Sequence, residues 1–366
     1  MRAPAWSVGV VVALSAVAVP VTGGAATLAG GSRQGAVSMA VIPTGHLGDP
    51  SNRFFQTFTS TGGAWSLSTP RGTATNGGII IASPEAGAVS VLAFDASHVS
   101  VIQGLMAGQP SRAGNVVSAI LAQPTALTVN PVSGQMAAIS ASGGVLMARH
   151  RLSPMRPFLS ARQLAASPAG RQCGFSAATS AAVMTDGTMV VGGRCSRPGY
   201  SGLLERHPGR GWVATRIGGS RLWHAVRVDP TVSGSVALAQ SGGSHPVLRM
   251  GTIGSRGITW SEPARVGADL RSTAVTSLAA QGSSYVVAAV TGHRVQAWRL
   301  GASAPARRIG PALSPKVQAV VDGASGSVDA FAVDGRRVVI SGLRRGEHRW
   351  VVEARRVLPL PYGTSS

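Results

Sequence analysis

A tryptophan that returns at near-constant intervals is what most limits how this chain can fold. GGAWSLSTPRG places one at Trp65, GRGWVATRIGG at Trp212, GITWSEPARVG at Trp260 and EHRWVVEARRV at Trp350. The intervals are 147, 48 and 90 residues, close to three, one and two copies of a single unit. MRPFLSARQLA puts Phe158 where a tryptophan stands elsewhere. SAPARRIG, residues 303 to 310, aligns with WSEPARVG, residues 260 to 267, with Ser303 in the tryptophan place. A weaker match near Gln109, in AGQPSRAG, completes a set of units of about 48 residues. That length holds four short strands and their turns. A unit of this kind cannot bury its apolar face alone and must stack on its neighbours.

The interior of the units points the same way. SAAVMT-DG-TMVVGG and VDAFAV-DG-RRVVISGL are paired apolar runs around Asp186-Gly187 and Asp334-Gly335. Asp-Gly supplies the positive φ angles of a tight hairpin turn. VRVDPTVSGSVALAQ carries a third such turn on Pro and Gly. The chain holds 48 Gly and 22 Pro, and helical periodicity is absent beyond the N-terminal segment. The expected fold is therefore all-β: a single propeller of seven four-stranded blades. SMAVIP and RFFQTFTS should lie in the first blade. The tail RRVLPLPYG should pair back to it, so that N- and C-terminal strands close the ring.

The first 26 residues are of another kind. Arg2 precedes the 14-residue apolar run VGVVVALSAVAVPV, and Gly24 and Ala26 follow at the −3 and −1 positions of a small-residue exit. This is the pattern of a secretory signal peptide cleaved after Ala26, leaving a propeller domain over residues 27 to 366. An uncleaved anchor is the alternative, but Pro20 and the short run fall below the roughly 20 apolar residues a span needs. No later segment is long and apolar enough to span a membrane, and no cysteine follows the run to anchor a lipid. Export agrees with a disulfide between Cys173 and Cys195; two unpaired buried thiols are the alternative. A spacing of 22 with no further thiols matches no four-ligand zinc site, so neither metal nor cofactor is expected.

Charge is unevenly spread. The formal net charge is +20, and Lys316 is the one lysine among 33 basic residues. Residues 1 to 148 hold five arginines against Asp49, Glu85 and Asp95; residues 149 to 366 hold 28 basic and 10 acidic residues. Such a field attracts polyanions, although an arginine-rich coding bias would produce the same composition. The arginine pairs 307-308, 336-337, 344-345 and 355-356 fall in expected turns and outer strands, where a solvated rim is the simpler account.

The tryptophan segments resemble the Asp-box of the sialidase superfamily, Ser-x-Asp-x-Gly-x-Thr-Trp. IGSRGITW keeps Gly257, Thr259 and Trp260; FTSTGGAW keeps Gly62 and Trp65; ERHPGRGW keeps Gly209 and Trp212; LRRGEHRW keeps Trp350, with Gly346 one place early. The aspartate position holds Ser255, Ser60, His207 and Arg345 instead. PTGHLGDPSNRFF, TNGGIII and PLPYG are similar to secreted actinobacterial propeller proteins. The resemblance implies a propeller and an exported chain. It also implies what an active relative would need: a tyrosine nucleophile with a glutamate, an aspartate acid/base and an arginine triad. Tyr200, Tyr285 and Tyr362 are the three tyrosines; Arg53 lacks the Phe/Tyr-Arg-Ile-Pro setting of those enzymes.

No G-x-S-x-G elbow, H-E-x-x-H or P-loop is present, so no catalytic residue is assigned. His46 and Asp49, in GHLGDPSN, form the densest polar pair, with turn stabilisation as the simpler role. The tryptophans could stack on sugars, but at a fixed place in each unit blade-to-blade packing is expected. The expected function is a non-catalytic binding or scaffold module at the cell envelope, probed by an unknown protein or an anionic envelope polymer. A monomer is expected, with no specific nucleic-acid partner. A sialidase-like glycoside hydrolase acting on anionic sugars and a purely structural envelope protein are the alternatives.

Overall fold

The structure, a computed structural model, describes the strands between residues 37 and 118 and most of residues 126 to 358. The export segment, the His46–Asp49 pair, Ser255, Ser303, Gly62 and Tyr362 lie outside the described residues. β1 (Val37–Thr44), β2 (Phe54–Thr61) and β3 (Ala64–Ser68) form a three-stranded sheet. β4 (Gly78–Glu85), β5 (Ala88–Phe94), β6 (Val99–Met106) and β7 (Arg112–Ser118) form a four-stranded one. A second such sheet comprises β8 (Ala126–Val129), β9 (Met136–Ile139), β10 (Val145–Ala148) and β11 (Arg156–Leu159).

A nine-stranded sheet follows. It holds β12 (Phe175–Val183), β13 (Met189–Cys195), β14 (Tyr200–Arg206) and β15 (Val213–Arg216), and then β16 (Trp223–Thr231), β17 (Gly234–Ser241), β18 (Val247–Gly254), β19 (Gly257–Trp260) and β20 (Ala264–Arg265). Two further four-stranded sheets comprise β21 (Ala274–Leu278), β22 (Ser284–Thr291), β23 (Arg294–Gly301) and β24 (Arg307–Leu313), and β25 (Val317–Asp322), β26 (Val328–Asp334), β27 (Arg337–Leu343) and β28 (Val351–Val357).

Among the described residues the pairings are antiparallel and join sequence neighbours, except that β20 returns to β18 and one bridge joins β13 to β16. That bridge, Arg194 with His224, joins the β12–β15 meander to the next. Gly202 makes the close approach possible: at φ +86°, a Cβ there would stand 2.4 Å from the Gly193 oxygen and 2.5 Å from the Ala225 nitrogen. No other residue type fits between those backbones. Leading strands lie side by side, β4 against β8, β8 against β12, β12 against β16, β21 against β25, with β1 against β25. The sheets are thus stacked face to face about a common centre. β9 and β17 are accordingly buried on both faces, which suits runs such as MAAI and SVALA.

The two Asp-Gly turns occupy different places. Asp186-Gly187 joins the first and second strands of its meander, with Gly187 at φ +83° and the Asp186 carboxylate accepting from the Thr188 N–H at 2.8 Å. Asp334-Gly335 lies between the second and third strands of its own, where Gly335 and Arg336 form the two-residue turn. The matching dipeptides are therefore not equivalent repeat positions.

Two short helices correct the expectation of no helix: α1 (Ala161–Ala166) and α2 (Pro168–Cys173), both between β11 and β12. Ser160 and Gln163 form a reciprocal capping box on α1. Ser167 caps α2, Pro168 occupies its first turn, and Gly174 ends it in the left-handed conformation. Their local start and stop signals were in SPMRPFLSARQLAASPAGRQCG, but segments of six residues are too short to show a period. Cys173 and Cys195 are disulfide-bonded. Cys173 ends α2 two residues before β12, and Cys195 ends β13 opposite Phe175, so the bridge closes the open end of the β12/β13 hairpin and fastens the helix there.

Arg355, Arg356 and Val357 of the expected closing tail belong to β28 and pair with β27; residues 359 to 366 lie outside the described residues. The first and last sheets meet by side-chain packing. Phe58, Trp65, Phe331 and Leu358 share one core, with Trp65 edge-on to Phe331 at 5.2 Å between ring centres.

Candidate functional site

Each meander has two ends, and the charged groups divide between them. At one end the first strand turns into the second and the third into the fourth. At the other, the second turns into the third and the chain crosses to the next meander.

The first end carries two carboxylate clusters. Asp229 of β16 accepts from Arg227 Nε at 2.5 Å and Nη2 at 2.9 Å, and the Tyr285 hydroxyl of β22 lies 3.0 Å away, binding one sheet to the next. Burial alone would lower the pKa of Arg227, but Asp229 beside it more than reverses this and leaves it raised. Burial, reinforced by the Asp229 charge, holds the Tyr285 phenol well above its ordinary range. The trio has the composition of a hydrolytic centre, but Tyr285 is 0% exposed, so no substrate reaches it. The second cluster runs from Glu205 Oε1 to His207 Nε2 at 2.9 Å and from His207 Nδ1 to Thr188 Oγ1 at 3.0 Å. Burial pushes the Glu205 carboxyl up against the opposing pull of His207, and Asp186 adds to the rise. Acid, imidazole and hydroxyl stand in relay order, yet Thr188 is 0% exposed. The relay therefore ties a hairpin turn to the end of β14.

The other end of the β16–β20 meander bears a solvent-open cleft of about 370 Å³. Arg221 enters it from the crossing between β15 and β16, Arg249 from β18 and Arg265 from β20, with Trp223 as part of the wall. Arg249 is held by the carbonyls of Ser261 and, at 3.3 Å, Ile217; Arg221 Nη1 reaches Ser241 Oγ at 3.3 Å. Among the described residues no carboxylate lies within 4.0 Å of these three guanidinium groups, and none lines the cleft. Trp223 is 4% exposed, and its Nε1 is buried with no hydrogen-bond acceptor. A second cleft, of about 360 Å³, lies at the same end of the β25–β28 sheet, where Lys316 is paired with Asp334 at 2.6 Å.

The repeat aromatics stand apart from both clefts, on or beside outer strands. Trp65 Nε1 donates to Glu353 of β28 at 3.1 Å, Trp260 Nε1 to the Arg216 carbonyl of β15 at 3.1 Å, and Trp350 Nε1 to the Pro311 carbonyl of β24 at 3.0 Å. In each case the acceptor lies on the last strand of an adjoining meander. The Arg206 guanidinium lies 5.8 Å from the Phe158 ring and 5.7 Å from the Trp212 ring, spanning the same kind of junction. Phe158 is 41% exposed and Trp65 is buried, so the positions share a place but not an environment. Gly209 adopts φ +72° in the turn before Trp212, and Gly257 adopts φ +102° as the first residue of β19, three before Trp260.

Sequence reasoning placed the aromatics in one repeat but did not find the cleft. Arg221, Arg249 and Arg265 are 28 and 16 residues apart, and nothing local marks them among so many arginines. Among the described residues no three of His, Cys, Asp and Glu gather as a metal-binding group, and no helix is long and apolar enough to cross a membrane.

No protein-family model matches the sequence, and no curated protein matches it. Solved structures do. The chain is similar to a candidate 6-phosphogluconolactonase from Bacteroides uniformis ATCC 8492, at a TM-score of 0.57 and 12% identity, over 88% of this chain and 97% of that one. It is also similar to the BP39L lectin from Burkholderia pseudomallei, at 0.53 and 12% identity, over 86% and 98%. Both likenesses are of fold alone, and with the stacked meanders they make this an all-β chain of the β-propeller type.

Proposed function

We propose that this chain is an exported, non-catalytic propeller that serves as a binding or scaffold module at the cell envelope, favouring anionic proteins or polymers. Export rests on residues 1 to 26 of the sequence. Seven blades follow if the nine-stranded sheet is counted as two at its single Arg194–His224 bridge. Closure by N- and C-terminal strands is supported by the three-stranded first sheet. Its Trp65, placed like Trp260 just after a two-residue hairpin, makes β3 a fourth strand and leaves a first strand to be supplied. The repeat positions Trp65, Phe158, Trp212, Trp260 and Trp350, with Gly62, Gly209 and Gly257, then serve the blade junctions and their turns.

The observation that carries the binding role is the separation of charge. Asp229 and Glu205 are held inside, whereas the arginine cleft opens to solvent with no carboxylate in its lining among the described residues. Rigid repeat scaffolds carry recognition on their connections, which is where the cleft lies. The sialidase-like alternative would need its tyrosine and acids at an open centre; Tyr285 and Asp229 instead meet in the core.

Retention of the purified chain on an anionic polymer matrix is the test. Retention at ~50 mM salt should be lost by ~500 mM, as screening shortens the range of the field. No retention at low salt, or retention indifferent to salt, would refute the anionic reading. Hydrolysis of an anionic glycoside that is lost in Tyr285→Phe would instead establish the enzyme.

A further inference from the structure

We propose that the cleft of Arg221, Arg249 and Arg265 is an oxyanion site that takes the phosphoryl group of an anionic polymer. The inference rests on the binding role above and narrows it to one place and one chemistry.

Among the described residues the cleft is lined by three arginines and no carboxylate. Three arginines lining one cleft add positive fields of the same sign there. They reach the cleft from three separate segments, a crossing and two strands. A tetrahedral phosphoryl group presents oxygens in several directions and suits such an arrangement. A planar carboxylate is matched by the fork of a single arginine. Arg249 is already positioned by the Ser261 and Ile217 carbonyls, which use Nε and Nη1 and leave its other N–H groups for a ligand.

The crossing helps by what it omits. Gly218 and Gly219 adopt φ of +79° and +77°, and a Cβ at either would meet no atom within 4 Å. That wall is bare backbone facing open space, where a ligand can come close. A volume of about 370 Å³ accommodates one phosphorylated unit of a chain rather than a large folded ligand. The cleft at the equivalent end of the β25–β28 sheet shows the contrast, since Asp334 there already neutralises Lys316.

The experiment measures binding of poly(glycerol phosphate), polyglutamate and inorganic phosphate to the full exported chain and two double variants. Arg221 and Arg265 are exposed, so Arg221→Gln with Arg265→Gln should leave the thermal midpoint unchanged. Arg344→Gln with Arg345→Gln removes the same charge from an exposed turn remote from the cleft. The cleft pair should weaken poly(glycerol phosphate) roughly tenfold or more, and the control pair less than about twofold. Inorganic phosphate should displace the polymer, confirming phosphoryl recognition. Phosphate binding as tightly as the polymer would assign the site to the free ion and overturn the polymer source. Equal weakening by both pairs, or polyglutamate bound as tightly as the phosphate polymer, overturns the cleft while leaving a general anionic binder standing. Failure of the unaltered chain to hold any polyanion overturns both.

Discussion

Within the β16–β20 meander the two ends carry opposite electrostatic arrangements. Toward the end where β16 turns into β17, Asp229 sits between Arg227 and Tyr285 with its charge matched and its oxygens bonded. At the other end, Arg221, Arg249 and Arg265 line a cleft with no carboxylate among the described residues. The preceding meander repeats the first arrangement within itself: Glu205 and His207 pair at the turning end of β14, beside Asp186. The difference follows from the cost of burial. An unmatched charge is tolerable where water reaches it and severely destabilising where water does not. Stability therefore concentrates at the turning end, and recognition is left to the crossing end.

The strongest way to break this contrast is Asp229→Ala. It leaves the Arg227 charge and the Tyr285 hydroxyl without their shared partner, and should cost about 3–5 kcal/mol in denaturant unfolding. A loss below about 1 kcal/mol would mean that the turning end is not where stability lies. The crossing end has a covalent fastening of its own, which sharpens the comparison. Cys173 and Cys195 are separated by 22 residues, and removing the bridge with Cys173→Ser and Cys195→Ser should cost about 3 kcal/mol through unfolded-chain entropy. Reduction that leaves the thermal midpoint in place would show that α1 and α2 dock without it.

The smallest expected effect is a pH dependence. Burial raises the Glu205 pKa above 4.5, so the folded chain favours the protonated acid. That contribution is fully present below the unfolded value and is lost as pH rises through the raised one. The midpoint of the unaltered chain minus that of Glu205→Gln should therefore fall as pH is raised from about 4.5. A difference that is flat with pH, or that rises, would remove Glu205 from the account of that end.

Much of the scaffold was legible in residue order. The aromatic period and the alternation of apolar runs with Gly-bearing turns required stacked antiparallel sheets, because units of that length cannot bury their own faces. The paired cysteines were legible too. Other features misled because local chemistry does not say which turn it serves. Asp186-Gly187 and Asp334-Gly335 read alike and lie at opposite ends of their meanders. α1 and α2 had capping signals but no period.

Sequence by itself fixed the class of fold, the surplus of positive charge and the aromatics at its repeat. Those are sums and periods, and both can be counted along a chain. Only the tertiary structure decided which charges meet. Asp229 and Tyr285 are 56 residues apart, and Trp65 reaches Glu353 across 288. Arg221, Arg249 and Arg265 share a wall because a crossing and two strands end together. Coulomb and hydrogen-bond energies depend on separation in space, which for sheets stacked about a centre bears little relation to separation in sequence.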